Sequence, residues 1–431
     1  MSRKMHLAVF AQGVGVAQSV WRSSRTKPER MHGIAHWAEV AATAERGFFD
    51  ALFVADALNL SPAIGTDATD RPDPVAVLSA LSAVTDKIGL IGTSSTTYND
   101  PFTVARQFAT LDHLSGGRAG WNVVTTAIPA AAENYGSARL PDHEDRYARG
   151  EEFVDVVKAL WDGWEPDAIV ADRESGRWTD RDKIHRIDHK GEHFAVAGPL
   201  TIPRSPQGQI PLAQAGSSST GMKLGARVAD LVFTTQHDLN EALDFADRMR
   251  GLAAAEGRRS GAVKVLPGIT PIIGETDAAA RDLAVELGSL IDEQTTLKFL
   301  EQAFGDIDLT SLDLDAPFPD LRGSLPTNAS VSRPKLFTEI ALRDGLTVRQ
   351  LAQRIGLGIG HRTLIGSAET VADDMQRWFD SGAADGFIIL PADLPAGLAD
   401  FVDQVVPRLQ KRGLLRTEYT GHTLRDHIDE D

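Results

Sequence analysis

The sequence contains no cysteine in 431 residues. Disulfides, thiolate nucleophiles and cysteine-ligated metal clusters are therefore excluded. It has no apolar run of about 20 residues, the length a membrane helix requires. Basic residues are in deficit: 44 Lys and Arg stand against 60 Asp and Glu, for a net charge of −16. That is the wrong sign for a nucleic-acid footprint and unfavourable at an anionic membrane surface. The basic residues near Met1 have no long apolar stretch behind them, so no signal peptide is expected and the expected location is cytoplasmic. No H-E-x-x-H or G-x-S-x-G sequence is present, so the zinc-peptidase and serine-hydrolase signatures are missing.

What remains is ordinary globular composition, 42% hydrophobic and 24% charged, enough for a large core without staples. Strands are expected at 6–11, 51–55, 88–93, 119–125, 210–215, 231–235, 264–273 and 386–390. Helices fall between and after them, at 34–46, 74–84, 101–114, 145–164, 221–229, 239–256, 278–304, 371–380 and 401–412. In the first helix Ile34, Trp37, Ala38 and Ala41 recur at helical spacing. Pro74 and Pro101 open helices, and Gly47 and Gly116 end them. Eight strand-and-helix units predict an α/β chain, a (β/α)8 TIM barrel with insertions, as one domain over 1–431. The insertions are expected at 165–209, with short antiparallel strands, and at 305–335. The rival, an open doubly wound sheet, normally carries G-x-G-x-x-G after an early strand. Gly13-Val14-Gly15 does not complete that spacing.

In such a barrel the functional groups stand at the C-terminal ends of the strands. The segment Gln214-Ala215-Gly216-Ser217-Ser218-Ser219-Thr220-Gly221 lies between an apolar strand and a helix. Small residues and free helix-start amides suit a phosphate there, and Ser217 and Ser218 add hydroxyls. An ordinary capped turn reads the same way. Asp56 ends the second strand and Thr93 the third; each could serve a ligand or only cap its turn. His143 and Tyr147, four apart, share one helix face, either toward a ligand or within a charged surface run. His185, His189 and His193 are also spaced by four. Gly191 and the strand-like 193–196 oppose the helix a metal site would need there, so no metal is expected.

The run Leu111-Asp112-His113-Leu114-Ser115-Gly116-Gly117-Arg118-Ala119-Gly120-Trp121-Asn122, continuing to Thr126, resembles the nitrilotriacetate/dibenzothiophene-sulfone monooxygenase family. That family is a branch of the bacterial luciferase-like flavoproteins. Glu45-Arg46-Gly47-Phe48-Phe49-Asp50, Gly382-Ala383-Ala384-Asp385-Gly386-Phe387 and the closing Thr423-Leu424-Arg425 resemble it too, and the likeness runs from about residue 6 to residue 427. The resemblance implies a two-component monooxygenase. FMN is reduced by a separate flavin reductase, and a peroxyflavin then oxidises a small organic substrate. It implies Asp56 and Thr93 beside the flavin ring, His143 and Tyr147 toward the ribityl phosphate, and Ser218, with Ser217, at the phosphate. The insertions would be lids that keep water out. A homo-oligomer, dimer or tetramer, is expected. Some relatives carry histidines where this chain has Gln18 and the stretch 339–344, so the catalytic acid or base is left unassigned. Gln18, His32 and His361 are the candidates. A deazaflavin-dependent oxidoreductase on the same barrel and a non-catalytic flavin-binding protein are the alternative readings.

Overall fold

Strands buried on both faces read as unbroken apolar runs, and eight such runs close into a ring here. The computed structural model describes residues 3–137, 139–292, 297, 300, 301, 304, 309, 311–321 and 332–430. In it β1 (His6–Ala11), β2 (Ala51–Val54), β3 (Gly89–Ser95) and β4 (Ala119–Val124) lie side by side in chain order. Two antiparallel pairs follow, β5 (Ile169–Asp172) with β6 (Arg177–Thr179) and β7 (His189–Lys190) with β8 (Ala195–Val196). The parallel series resumes with β9 (Leu212–Gln214), β10 (Leu231–Thr234), β11 (Lys264–Gly274), β12 (Arg362–Ser367) and β13 (Gly386–Ile389). β13 pairs with both β11 and β1 and closes the barrel. β12 lies outside the ring of eight. It pairs with the C-terminal half of β11, Ile269 against Arg362 through Gly274 against Ser367, and is not among the expected strands.

The helices that cover the ring begin and end by local chemistry. α1 (Ile34–Arg46) is followed by Gly47. α2 (Pro74–Ser82) and α3 (Pro101–Ser115) each carry proline in the first turn behind an aspartate cap, Asp73 and Asp100. Gly116 ends α3 at φ 67°, in the left-handed region that glycine enters without strain. α4 (Pro129–Glu133) is short, and α5 (His143–Trp161) runs from the C-terminal mouth of the barrel back toward its floor. α6 (Ser219–Val228), α7 (Leu239–Ala255) and α8 (Asp277–Ser289) continue the alternation. Most of the expected helix beyond Asp292 and about half of the expected insertion at 305–335 lie outside the described residues. Within that range 311–321 holds no helix or strand, and a helix spans Ser332–Asp344, followed by another at Val348–Gly358.

The barrel interior is filled by Ala8, Phe10, Ala51, Phe53, Ile91, Leu231, Leu266 and Ile388. Alternate residues, among them Leu7, Leu52, Trp121 and Phe387, pack outward against the helices. The floor is made by the end of the chain. Leu424 and Ile428, from a short helix at Leu424–Asp429, join the interior cluster. Gly89 and Gly120 make room for Leu424: a methyl group on either would stand 2.5 and 2.8 Å from its side chain. Arg416 reaches Asp50 at 2.7 Å, and Asp50 also accepts from His6 and from the Leu7 amide.

The recognisable run at 111–126 turns out to be mainly structural. Arg118 spends five side-chain hydrogen bonds on Ser82, Thr85, Ile88 and Ser115. Asp112 takes the Ala119 amide and Gln207, and Trp121 is fully buried. The 165–209 segment does not cover the mouth, contrary to the expectation of a lid. It lies along the outer, lower part of α5, where Glu152 accepts from His189 and from the amides of His193 and Phe194. It reaches the floor side through Gln207.

Candidate active site

Every residue singled out for chemistry except the insertion histidines lies at the C-terminal rim of the barrel. Thr93 points inward from β3, opposite Asn122 on β4. Its hydroxyl donates to the Val54 carbonyl at 3.0 Å and accepts from Asn122 Nδ2 at 2.9 Å. Asn122 Oδ1 is buried and has no hydrogen-bond partner. A buried amide oxygen left unpaired is costly, and such atoms mark places where a ligand or water completes the set. Asn122 was overlooked in the sequence because a polar residue within an apolar strand carries no signal until its face is known.

Asp56 lies two residues beyond β2, half-buried. Burial raises its pKa, the Ala57 amide opposes the rise, and Asp73 adds to it. Beside it is a cavity of about 550 Å³ lined by Leu58, Leu60, Arg71, Asn134 and Tyr135, among others. Tyr135 stacks on Tyr98 at 4.7 Å between ring centres, and Asn134 holds the wall by donating to the Leu58 carbonyl. A smaller cleft of about 90 Å³ opens at the opposite end of the barrel, where Asp230 is already paired with Arg258 and Arg425.

Across the rim, α5 and α6 meet. His143 and Tyr147 do share a face: their rings are 4.7 Å apart. Ser218 caps α6, its Oγ accepting the Gly221 amide at 3.0 Å. The amides of Ser219 and Thr220 have no acceptor inside the helix, as at any helix start. A methyl group on Gly221 would lie 3.0 Å from the Tyr147 hydroxyl, 3.1 Å from Ser218 Oγ and 3.1 Å from Gly216 Cα. Tyr147, Ser218 and the bare backbone of Gly216 and Gly221 therefore converge on one small cradle. Ser217 and Ser218 are exposed and able to donate outward. The cradle has the donor set for a doubly charged oxyanion: two hydroxyls, free amides and a positive helix end.

The other histidines fill supporting places. His361 stacks on Phe233 inside the barrel, ring planes 10° apart, above Gly268, where any side chain would strike it. Gln18 is fixed through its amide to the Gly356 carbonyl, and His32 pairs with Asp70 on the rim. His237, not singled out in the sequence, donates to the Gly360 carbonyl at 2.9 Å, and burial lowers its pKa to about 4, so it is neutral. The insertion histidines diverge: His185 bonds Glu165 and His189 bonds Glu152.

A family model described as luciferase-like monooxygenase matches residues 5–385. The chain is 45% identical over 426 residues to N-acetyl-S-(2-succino)cysteine monooxygenase of Bacillus subtilis (strain 168), covering 99% of this chain and 96% of that protein. It is 43% identical over 441 residues to nitrilotriacetate monooxygenase component A of Aminobacter aminovorans, again with 99% and 96% covered. The solved structure of a riboflavin lyase with modified FMN and riboflavin superimposes with a TM-score of 0.87 at 32% identity, covering 99% of this chain and 96% of that one.

Proposed function

The chain belongs to the luciferase-like monooxygenase family and is a flavin-dependent monooxygenase, and we propose that it is the oxygenase half of a two-component system. On this reading reduced FMN comes from a separate reductase, and the product is a small organic molecule carrying one oxygen atom from dioxygen. The observation that carries the cofactor assignment is the cradle of Tyr147, Ser218, Gly216 and Gly221, whose hydroxyls, free helix-start amides and positive helix end suit a phosphate. FMN in a solved barrel of similar sequence supports it, and the word component in a relative's name supports a reductase partner.

Bound reduced flavin supplies the two electrons that let one oxygen atom enter the product and the other leave as water. The chain's own residues bind and enclose. Ser218, Tyr147 and His143 hold the phosphate end, with Ser217 beside them. Thr93 fixes Asn122 so that its free Oδ1 can accept from a ring N–H. Asp56, with its pKa raised by burial, stands where it can hold or release a proton at the edge of the cavity. Leu58, Leu60 and Tyr135 give that cavity apolar walls on its open side.

The test is to bind reduced FMN without oxygen, then mix with oxygenated buffer and follow near-ultraviolet absorbance. A transient lasting longer than free reduced flavin, and oxygen-18 in a product when a flavin reductase is added, are the expected results. No binding of FMN, or hydride exchange with a deazaflavin in its place, would overturn the reading. At residue level, Tyr147→Phe should weaken FMN by about 1–2 kcal/mol, the worth of one hydrogen bond to a charged group. Riboflavin affinity should not change; equal losses for FMN and riboflavin would remove Tyr147 from the phosphate.

A further inference from the structure

Among the described residues three arginines are buried to 5% exposure or less, Arg118, Arg146 and Arg416. Two of them have their charge answered: Arg118 makes five side-chain hydrogen bonds, and Arg416, although its Nε and Nη1 lack hydrogen-bond partners, is paired with the carboxylates of Asp50 and Glu430. Arg146 differs. Its side chain makes one hydrogen bond among the described residues, to the Pro141 carbonyl, and no ion pair with a described carboxylate. Its Nε is buried without a partner. The titratable groups nearest it are the neutral phenols of Tyr147 and Tyr98 and the exposed carboxylate of Asp142. Burying a cation this way is unfavourable unless an anion arrives to pair with it.

The surroundings point the same way. Arg146 lies on the inward face of α5, one turn before Gly150, where a methyl group would stand 3.1 Å from Thr125 and 3.2 Å from Thr96, just past the ends of β4 and β3. The Tyr98 hydroxyl and Thr97 Oγ1, on the same rim, are likewise buried without partners. Tyr98 stacks on Tyr135, which lines the 550 Å³ cavity beside Asp56. The phosphate cradle has donors of its own in Ser218, Tyr147 and the helix-start amides.

We propose that Arg146, with the Tyr98 hydroxyl, is a buried oxyanion subsite of the barrel mouth, and that it takes a carboxylate of the substrate. The substrate class is then an organic acid, in which one carboxylate anchors the molecule and places a neighbouring carbon or heteroatom for oxidation. The inference rests on the flavin reading above. The names of the two relatives, a succinocysteine and a nitrilotriacetate monooxygenase, denote acids of this class.

The experiment titrates N-acetyl-S-(2-succino)cysteine and nitrilotriacetate into the FMN-loaded protein by calorimetry, for wild type, Arg146→Met, Arg146→Lys and Tyr98→Phe. At least one acid should bind wild type and lose roughly 10- to 100-fold in affinity to Arg146→Met, with smaller losses in Arg146→Lys and Tyr98→Phe. Arg146→Met should melt no lower than wild type when ligand-free, because an unpaired buried charge is removed. A lowered melting temperature with unchanged acid binding would make Arg146 a structural residue. Failure of both acids to bind wild type, or equal binding to Arg146→Met, overturns the proposal. A loss of FMN affinity without loss of riboflavin affinity in Arg146→Met would assign the subsite to the cofactor phosphate and overturn it as well. The substrate-free oxygen transient separates this proposal from the flavin reading: absent in wild type, it is the flavin reading that fails.

Discussion

Arg416→Ala should cost about 3–5 kcal/mol of stability, because it leaves a buried carboxylate without its partner. Asp50 and Arg416 are each 3% exposed, and together they tie the closing segment of the chain to the start of β1. Burial alone would raise the Asp50 pKa. Arg416 first, then His6 and the Leu7 amide, outweigh it and hold the group at about 2. The folded pKa is thus below the ordinary value of 3.8. The stabilisation is complete above pH ~4 and is lost as pH falls toward ~2, a term of about 2–3 kcal/mol. Denaturant unfolding of wild type and Arg416→Ala at pH 7 and pH 3 checks both points. The wild type should lose stability between them, and the variant should lose much less because its Asp50 no longer has a depressed pKa. A double variant, Asp50→Leu with Arg416→Met, should recover most of the loss, since replacing both partners removes the orphaned charge. A single-variant loss under about 1 kcal/mol would mean that Leu424 and Ile428 hold the floor without the ion pair.

The strands of the ring were legible because each is an apolar run between helices, some of which begin with proline or end with glycine. β12 was not, for a physical reason. It leans on only half of β11, and its residues are mostly half-buried or exposed, so it lacks the unbroken apolar run of its neighbours. The floor helix at Leu424–Asp429 was missed because six residues are too few to show a period. At the site, the phosphate cradle was visible as a helix start rich in hydroxyls, and the spacing of His143 and Tyr147 gave their common face. The lid expectation for 165–209 failed because polar composition tells that a segment is at the surface and not which surface it covers. Arg146 did carry a signal. Arg146, Gly150, Phe153 and Val157 stand at helical spacing along one stripe, and all are buried. A charge on the apolar stripe of a helix is the pattern to look for when an anion site lies inside a barrel mouth.

Ser218→Asp gives the sharpest test of the phosphate cradle, because two readings of Ser218 predict opposite results. As a helix cap, Ser218 accepts the Gly221 amide, and aspartate does this equally well while adding a favourable charge at the positive end of α6. If capping were its whole role, the variant would be as stable as wild type or more so, and would bind FMN unchanged. If the cradle of Gly216, Gly221, Tyr147 and Ser218 takes the phosphate, a carboxylate enters the space meant for a dianion. Two such charges about 4 Å apart near a protein surface repel by about 4 kcal/mol per unit product, and by about 1 kcal/mol in bulk water. With part of the field screened at this exposed rim, the expected loss is about 2–4 kcal/mol, roughly 30- to 1000-fold in FMN affinity. Riboflavin lacks the phosphate and should bind both proteins alike. Fluorescence titrations of FMN and riboflavin, beside thermal melts of the ligand-free proteins, decide it. Retained FMN affinity in a stable Ser218→Asp protein would leave Ser218 as a cap and move the phosphate elsewhere on the rim. A selective loss of FMN, with the melting temperature held, places the phosphate against Ser218, through the added negative charge and the lost hydroxyl donor together.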